Sequence, residues 1–169
     1  MDKHSTSMDN CTDTMNKTSR LQRNGAIQAR IINKLLDRSQ IYMDSAYRLI
    51  HQPSAHICIV LGDRALESML MALYIKENDL TSLPHSLSLD DVAWLTAEES
   101  GFDLDTVMFI QSNHFLASFK DTALLQQTQF THLKRLLSRV DDVLTRLSRR
   151  ISTHSLEEGR SIFSKKDVQ

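Results

Sequence analysis

Apolar residues recur three or four positions apart, or at multiples of that, along most of the chain. Ile27, Ile31, Leu35, Tyr42, Ala46 and Ile50 form one such stripe, with Arg30, Lys34, Asp37, Arg38, Asp44 and Arg48 on other faces. The spacing predicts an amphipathic helix from about Gly25 to His51. Gln52-Pro53-Ser54 breaks it, because proline biases the residue before it away from helix and Ser54 can cap the next helix. The next segment, Ala55 to Asn78, is apolar almost all round between Ile57 and Ile75, the pattern of a central, buried helix. Its polar exceptions are Gly62, Asp63, Arg64, Glu67 and Ser68, which read either as a strip facing solvent or as a subunit contact or ligand groove. Ser88 followed by Asp91 predicts a capping-box start for a short helix, Leu89 to Glu99, holding the lone Trp94 and stopped by Gly101. Asp103 and Asp105 favour a fourth helix N-terminus, with Val107, Ile110, His114 or Phe115, and Phe119 at helical spacing. From Gln126 to about Ser152, Phe130, Leu133, Leu137, Val140, Leu144, Leu147 and Ile151 make a heptad seam, widened by Leu136 and Val143. Three repeats are short for an isolated coiled coil, so this reads as a bundle helix.

These elements predict an all-α, up-and-down bundle of about five helices, in one domain over residues 23–153. Residues 1–22 are Ser/Thr/Asn/Asp-rich and predict a disordered leader, and residues 154–169 a polar tail. Composition agrees, since 4 Gly and 2 Pro in 169 residues punctuate too rarely for a sandwich or barrel. No apolar run approaches the roughly 20 residues of a membrane span, and no signal segment opens the chain. Cys11 and Cys58 give no disulfide framework and read as free thiols in a reducing cytoplasm.

The net charge of −1 hides a segregation. Residues 20–51 carry net +4, residues 63–110 net −8 and residues 132–169 net +4. Such asymmetry marks either a nucleic-acid surface or basic helices packed beside acidic ones. The chain has no dense Lys/Arg run and no interleaved aromatics of the kind single-strand binders use, which favours the second.

Most catalytic signatures are missing. There is no phosphate loop, Gly-rich dinucleotide turn, H-E-x-x-H or nucleophile elbow, and the seven His have no metal-ligand spacing. No metal or cofactor is therefore expected. One stretch, LGDRALESMLMALYIKENDLTSLPHSLSLDDVAWL at residues 61–95, carries a family resemblance. Ala65, Glu67, Leu70, Ala72 and Leu73 fill an A-x-E-x-x-L-x-A-L-like run, and Pro84, His85 and Leu87 a Pro-His-x-Leu loop. With the later SNHFLASFKDTALL and the closing amphipathic helix, residues 25 to 152 resemble the HEPN family of small helical domains.

That resemblance implies a dimeric module acting with a nucleotide or RNA, or with a partner such as a nucleotidyltransferase, in toxin–antitoxin or defence loci. Its ribonuclease members carry Arg, four to six residues, then His near the start of the fourth helix. His114 stands in that region, but Val107, Met108 and Phe109 occupy the positions where the Arg belongs. The only Arg-x4-His is Arg149 to His154, at the end of the last helix. A non-catalytic binding module is expected, because a His without a fixed cation cannot stabilise a phosphorane charge. Its ligand-binding candidates are Arg64 as the nearest cation, Asn113 and His114 as hydrogen-bonding groups and Lys120 as a rim charge, with His85, Arg149 and His154 weaker. A homodimer through the second and fourth helices is expected, with Gly62 permitting close approach. The alternative is a protein-interaction adaptor that presents the Phe130–Ile151 seam to a partner helix and binds no nucleic acid.

Overall fold

The computed structural model describes the backbone of residues 9–51, 54–97, 103–119 and 129–152, with side chains from residue 22 onward. Within them lie five helices and no strand: α1 Asp9–Leu49, α2 Ala55–Glu77, α3 Leu89–Thr96, α4 Leu104–Ala117 and α5 Phe130–Ser152. The chain is an all-α bundle, as the apolar spacing predicts.

α1 and α2 form an antiparallel hairpin. Gln28 Nε2 donates to the Ile75 carbonyl at 3.0 Å, Ser39 Oγ to that of Ala65 at 2.9 Å, and Cys58 Sγ to that of Ala46 at 3.5 Å. The contact runs through small residues. Cys58, Ala65 and Ala72, spaced seven apart on α2, are fully buried, as is Ala46 opposite, and Ser39 nearly so. Small side chains bring the two backbones close enough for a hydroxyl or thiol on one helix to reach a carbonyl on the other.

α5 runs parallel to α2. At one end a Cβ on Gly62 would lie 3.4 Å from Leu137 Cδ2 and 3.6 Å from Val140 Cγ2. At the other, Lys76 Nζ donates to the carbonyls of Arg150 and, at 3.2 Å, Ile151. The close approach expected at Gly62 is therefore made to α5 of the same chain. Leu133, Leu137, Val140, Leu144, Leu147 and Ile151 are all buried, and only Phe130 of the heptad seam is exposed. An apolar stripe of this spacing packs as readily into its own bundle as onto a partner, and here the bundle takes it.

The segregated charges meet inside the chain. Arg139 of α5 pairs with Asp105, Arg146 with Asp103 at 2.9 Å, and Arg150 with Glu77 at 3.2 Å. Arg150 also donates to the carbonyl of Leu95, and the Arg139 guanidinium lies 4.8 Å over the Phe109 ring. Three arginines of the basic segment thus fasten α5 to the acidic one.

Helix ends follow local chemistry, with four differences from expectation. α1 is helical from Asp9, through residues whose composition predicts disorder. No Gly or Pro interrupts that stretch, and a helix fixed by packing downstream propagates upstream at little cost per residue. Ser54 does not cap α2; its hydroxyl donates to Leu49 at 3.3 Å and so satisfies the end of α1. α3 ends at Thr96 because Ala97 is extended, with ψ 135°, and the expected end at Glu99 and stop at Gly101 lie outside the described residues. α5 begins at Phe130, with residues 126–128 outside the described residues. The capping box forms as expected: Ser88 Oγ accepts from Asp91 N at 3.1 Å, and Asp91 accepts from Ser88 N at 2.8 Å. Asp103 caps α4 through Thr106 N at 3.0 Å. No described helix is long and apolar enough to cross a membrane.

Candidate functional site

α4 lies across α2, burying Thr106, Val107, Ile110 and Asn113 and turning Leu104, Met108 and Phe115 outward. Two histidines mark the crossing. The His56 ring Nε2 lies 3.3 Å from the Ala117 carbonyl, and His114 Nδ1 lies 3.1 and 3.3 Å from the two oxygens of Asp63. Asp63 is a buried carboxylate, 7% exposed, at the middle of an apolar helix. Burial pushes its carboxyl above the ordinary Asp value, and the His114 hydrogen bond and charge pull it back; Glu67 adds to the rise and Arg64 opposes it. The His114 side chain is 68% exposed, so Asp63 holds one edge of the ring and solvent meets the other.

The sequence candidates do not converge. Arg64 is exposed and donates to Glu67 at 2.6 Å on its own helix, which holds its guanidinium above the usual Arg value. Asn113 is 1% exposed, and neither polar atom of its amide has a hydrogen-bond partner. It points into the bundle while His114, the next residue, points out. Lys120 and His154 lie outside the described residues, and His85 is exposed on the α2–α3 loop. Arg149 is exposed at the far end of α5, where it lines a cavity of about 560 Å³ with Arg146, Arg150, Leu95, Thr106 and Leu147. Of the three leading candidates that are described, only His114 meets a polar partner on another element, and that partner, Asp63, enters the sequence reading as a member of the α2 polar strip and not as a ligand-binding candidate. The available signal is a pair of carboxylates, Asp63 and Glu67, in a run of apolar residues, but the partner of Asp63 is 51 positions away and periodicity does not reach that far.

No group of three His, Cys, Asp or Glu that could hold a metal ion occurs among the described residues. Set beside known proteins, the chain matches no family model, no curated protein and no solved structure.

Proposed function

We propose that this protein is a non-catalytic, HEPN-like helical binding module that works as a homodimer through the α2/α4 face. The observation that carries the reading is the outer stripe of α4. Leu104, Met108 and Phe115, at spacings of four and seven, are 58–67% exposed. Phe119 packs edge-on against Phe115 at 5.7 Å and extends the stripe, and Ile57 of α2 is exposed as well. A 14-residue helix with one apolar face on α2 and a second facing solvent has the form of an interface element. The stripe is nearly symmetric about its middle, so two antiparallel copies would set Leu104 of each against Phe115 of the other, the isologous contact that a two-fold axis needs.

Light scattering at micromolar concentration tests this. The expected mass is twice 19.3 kDa, falling to 19.3 kDa when Met108 and Phe115 are both replaced by Glu. A wild type that stays monomeric overturns the reading. A nucleotide or RNA ligand is the second arm of the same proposal, favoured by the resemblance and by Arg64 and His114 lying on the two helices of this face. Replacing both with Ala should abolish binding measured at two salt concentrations; binding unchanged in that variant removes the site.

A further inference from the structure

The Asp63–His114 pair has a chemical consequence that a binding surface does not require. An ionised carboxylate only accepts hydrogen bonds, so Asp63 selects the tautomer that carries the proton on Nδ1. The lone pair of the neutral ring then lies on Nε2, at the edge turned to solvent by a side chain that is 68% exposed. Asp63 is buried in α2 and His114 projects from α4, so the geometry is fixed by two packed helices rather than by a mobile loop. No other described histidine has a carboxylate partner. His56 faces a carbonyl, His51 stacks on Phe130 at 4.9 Å, and the rings of His85 and His132 are exposed with no hydrogen bond among the described residues.

We infer that Asp63 and His114 form a carboxylate–imidazole dyad that makes His114 Nε2 the chain's acceptor for a transferred phosphoryl group, a modification site on the α2/α4 surface. The donor class is a phosphoramidate. The donor carries its proton already on nitrogen, as the ammonium form of phosphoramidate: Nε2 contributes its lone pair to phosphorus, the P–N bond breaks, and its electron pair leaves with that protonated nitrogen as ammonia. The ring gains a positive charge as the Nε2–P bond forms, and Nδ1 keeps its proton. Asp63, hydrogen-bonded to that proton, balances the charge inside a region that water reaches poorly, which is how a buried carboxylate activates a histidine. The exposed edge needs no cavity, since the donor approaches from solvent. His114 is about 100° of helical turn from its neighbour Phe115, so a dimer formed on the Leu104–Phe115 stripe leaves it at the rim.

The experiment incubates the full-length protein with phosphoramidate and follows each histidine by peptide mass mapping and phosphorus NMR. His114 should be modified faster than His85 and His132 in the same chain, and solely at Nε2. Asp63→Asn keeps a hydrogen-bond acceptor but removes the charge, and should slow His114 by about tenfold or more while leaving the rates at His85 and His132 unchanged. Asp63→Ala should add the other ring isomer, because the tautomer is no longer selected. Both variants are checked for native helix content and oligomeric mass, which separates loss of the dyad from loss of fold or of the dimer. His114 reacting no faster than His85 and His132, an unmodified wild type, or Asp63→Asn without effect on a folded protein each overturns the inference.

Discussion

Among the described residues, Asn113 is the least satisfied. Its amide is buried without a hydrogen-bond partner for either polar atom. An unpaired buried amide costs on the order of 1–3 kcal/mol, whereas an apolar group of similar shape costs nothing of the kind. Asn113→Leu should therefore stabilise the protein by about 1 kcal/mol, read from urea unfolding. A loss of stability instead would show that the amide is satisfied when the protein is in water. Asp63 gives a second expectation, in which the sign follows from burial. Its folded-state value is raised, with desolvation the largest cause, the His114 hydrogen bond opposing it, and Glu67 and Arg64 the charged neighbours on its own helix. A raised folded value means the contribution is complete below the unfolded-state value and is lost as pH rises through the folded one. Asp63→Asn removes that titration, so the variant should gain on wild type as pH climbs from acid to neutral. Thermal melts across that range check it; a gap between the two proteins that moves in the wild type's favour with rising pH contradicts the account. Both residues sit in segments whose helicity periodicity predicts, yet neither partner nor burial can be read there. Periodicity reports which way a side chain points on its own helix, not what another helix sets opposite.

Among elements, the α1–α2 contact is set by size. Ala65 is fully buried and its carbonyl accepts from Ser39 across the interface. Extra methylenes there must push the helices apart, so Ala65→Leu should cost about 1–3 kcal/mol or more. Leu137, buried against the bare backbone of Gly62, is the opposite case. Its truncation to Ala leaves a cavity and should cost about 2–5 kcal/mol. The arginine clamps between α5 and the acidic segment are weaker, since exposed ion pairs contribute about 0.2–1 kcal/mol each and are screened by salt. Replacing Arg139 and Arg146 by Ala should raise amide exchange in α4 more than in α2, and equal protection in the two proteins would show that the apolar face alone holds α4. At this scale the sequence is most legible. The seam from Leu133 to Ile151, the Ser88 capping box and the Asp103 cap can all be read from it, because each is decided within one or two helical turns. The start of α1 and the real task of Ser54 are not, since both depend on what the neighbouring turn already satisfies.

For the whole molecule, the sequence shows charge blocks but not their destination. The same −8 and +4 segments would suit a polyanion surface or internal pairing, and Arg139, Arg146 and Arg150 show the internal pairing. Among the described side chains, those from Gln22 to Ala26 are exposed, and Gln28 is the first to hydrogen-bond another helix. Deleting residues 1–20 should leave unfolding free energy within about 0.5 kcal/mol of wild type, measured by denaturant titration.

The thiol of Cys58 lies shut between α1 and α2, donating to Ala46, and its burial raises its pKa above the ordinary thiol value. A thiolate is the reactive form, so while the hairpin is closed the group is both shielded and protonated. An alkylating reagent can reach it only during the moments when α1 lifts from α2. Cys58 is thus a stopwatch built into the seam: its labelling rate in a Cys11→Ser background counts hairpin openings, and Ala65→Leu should make it run faster.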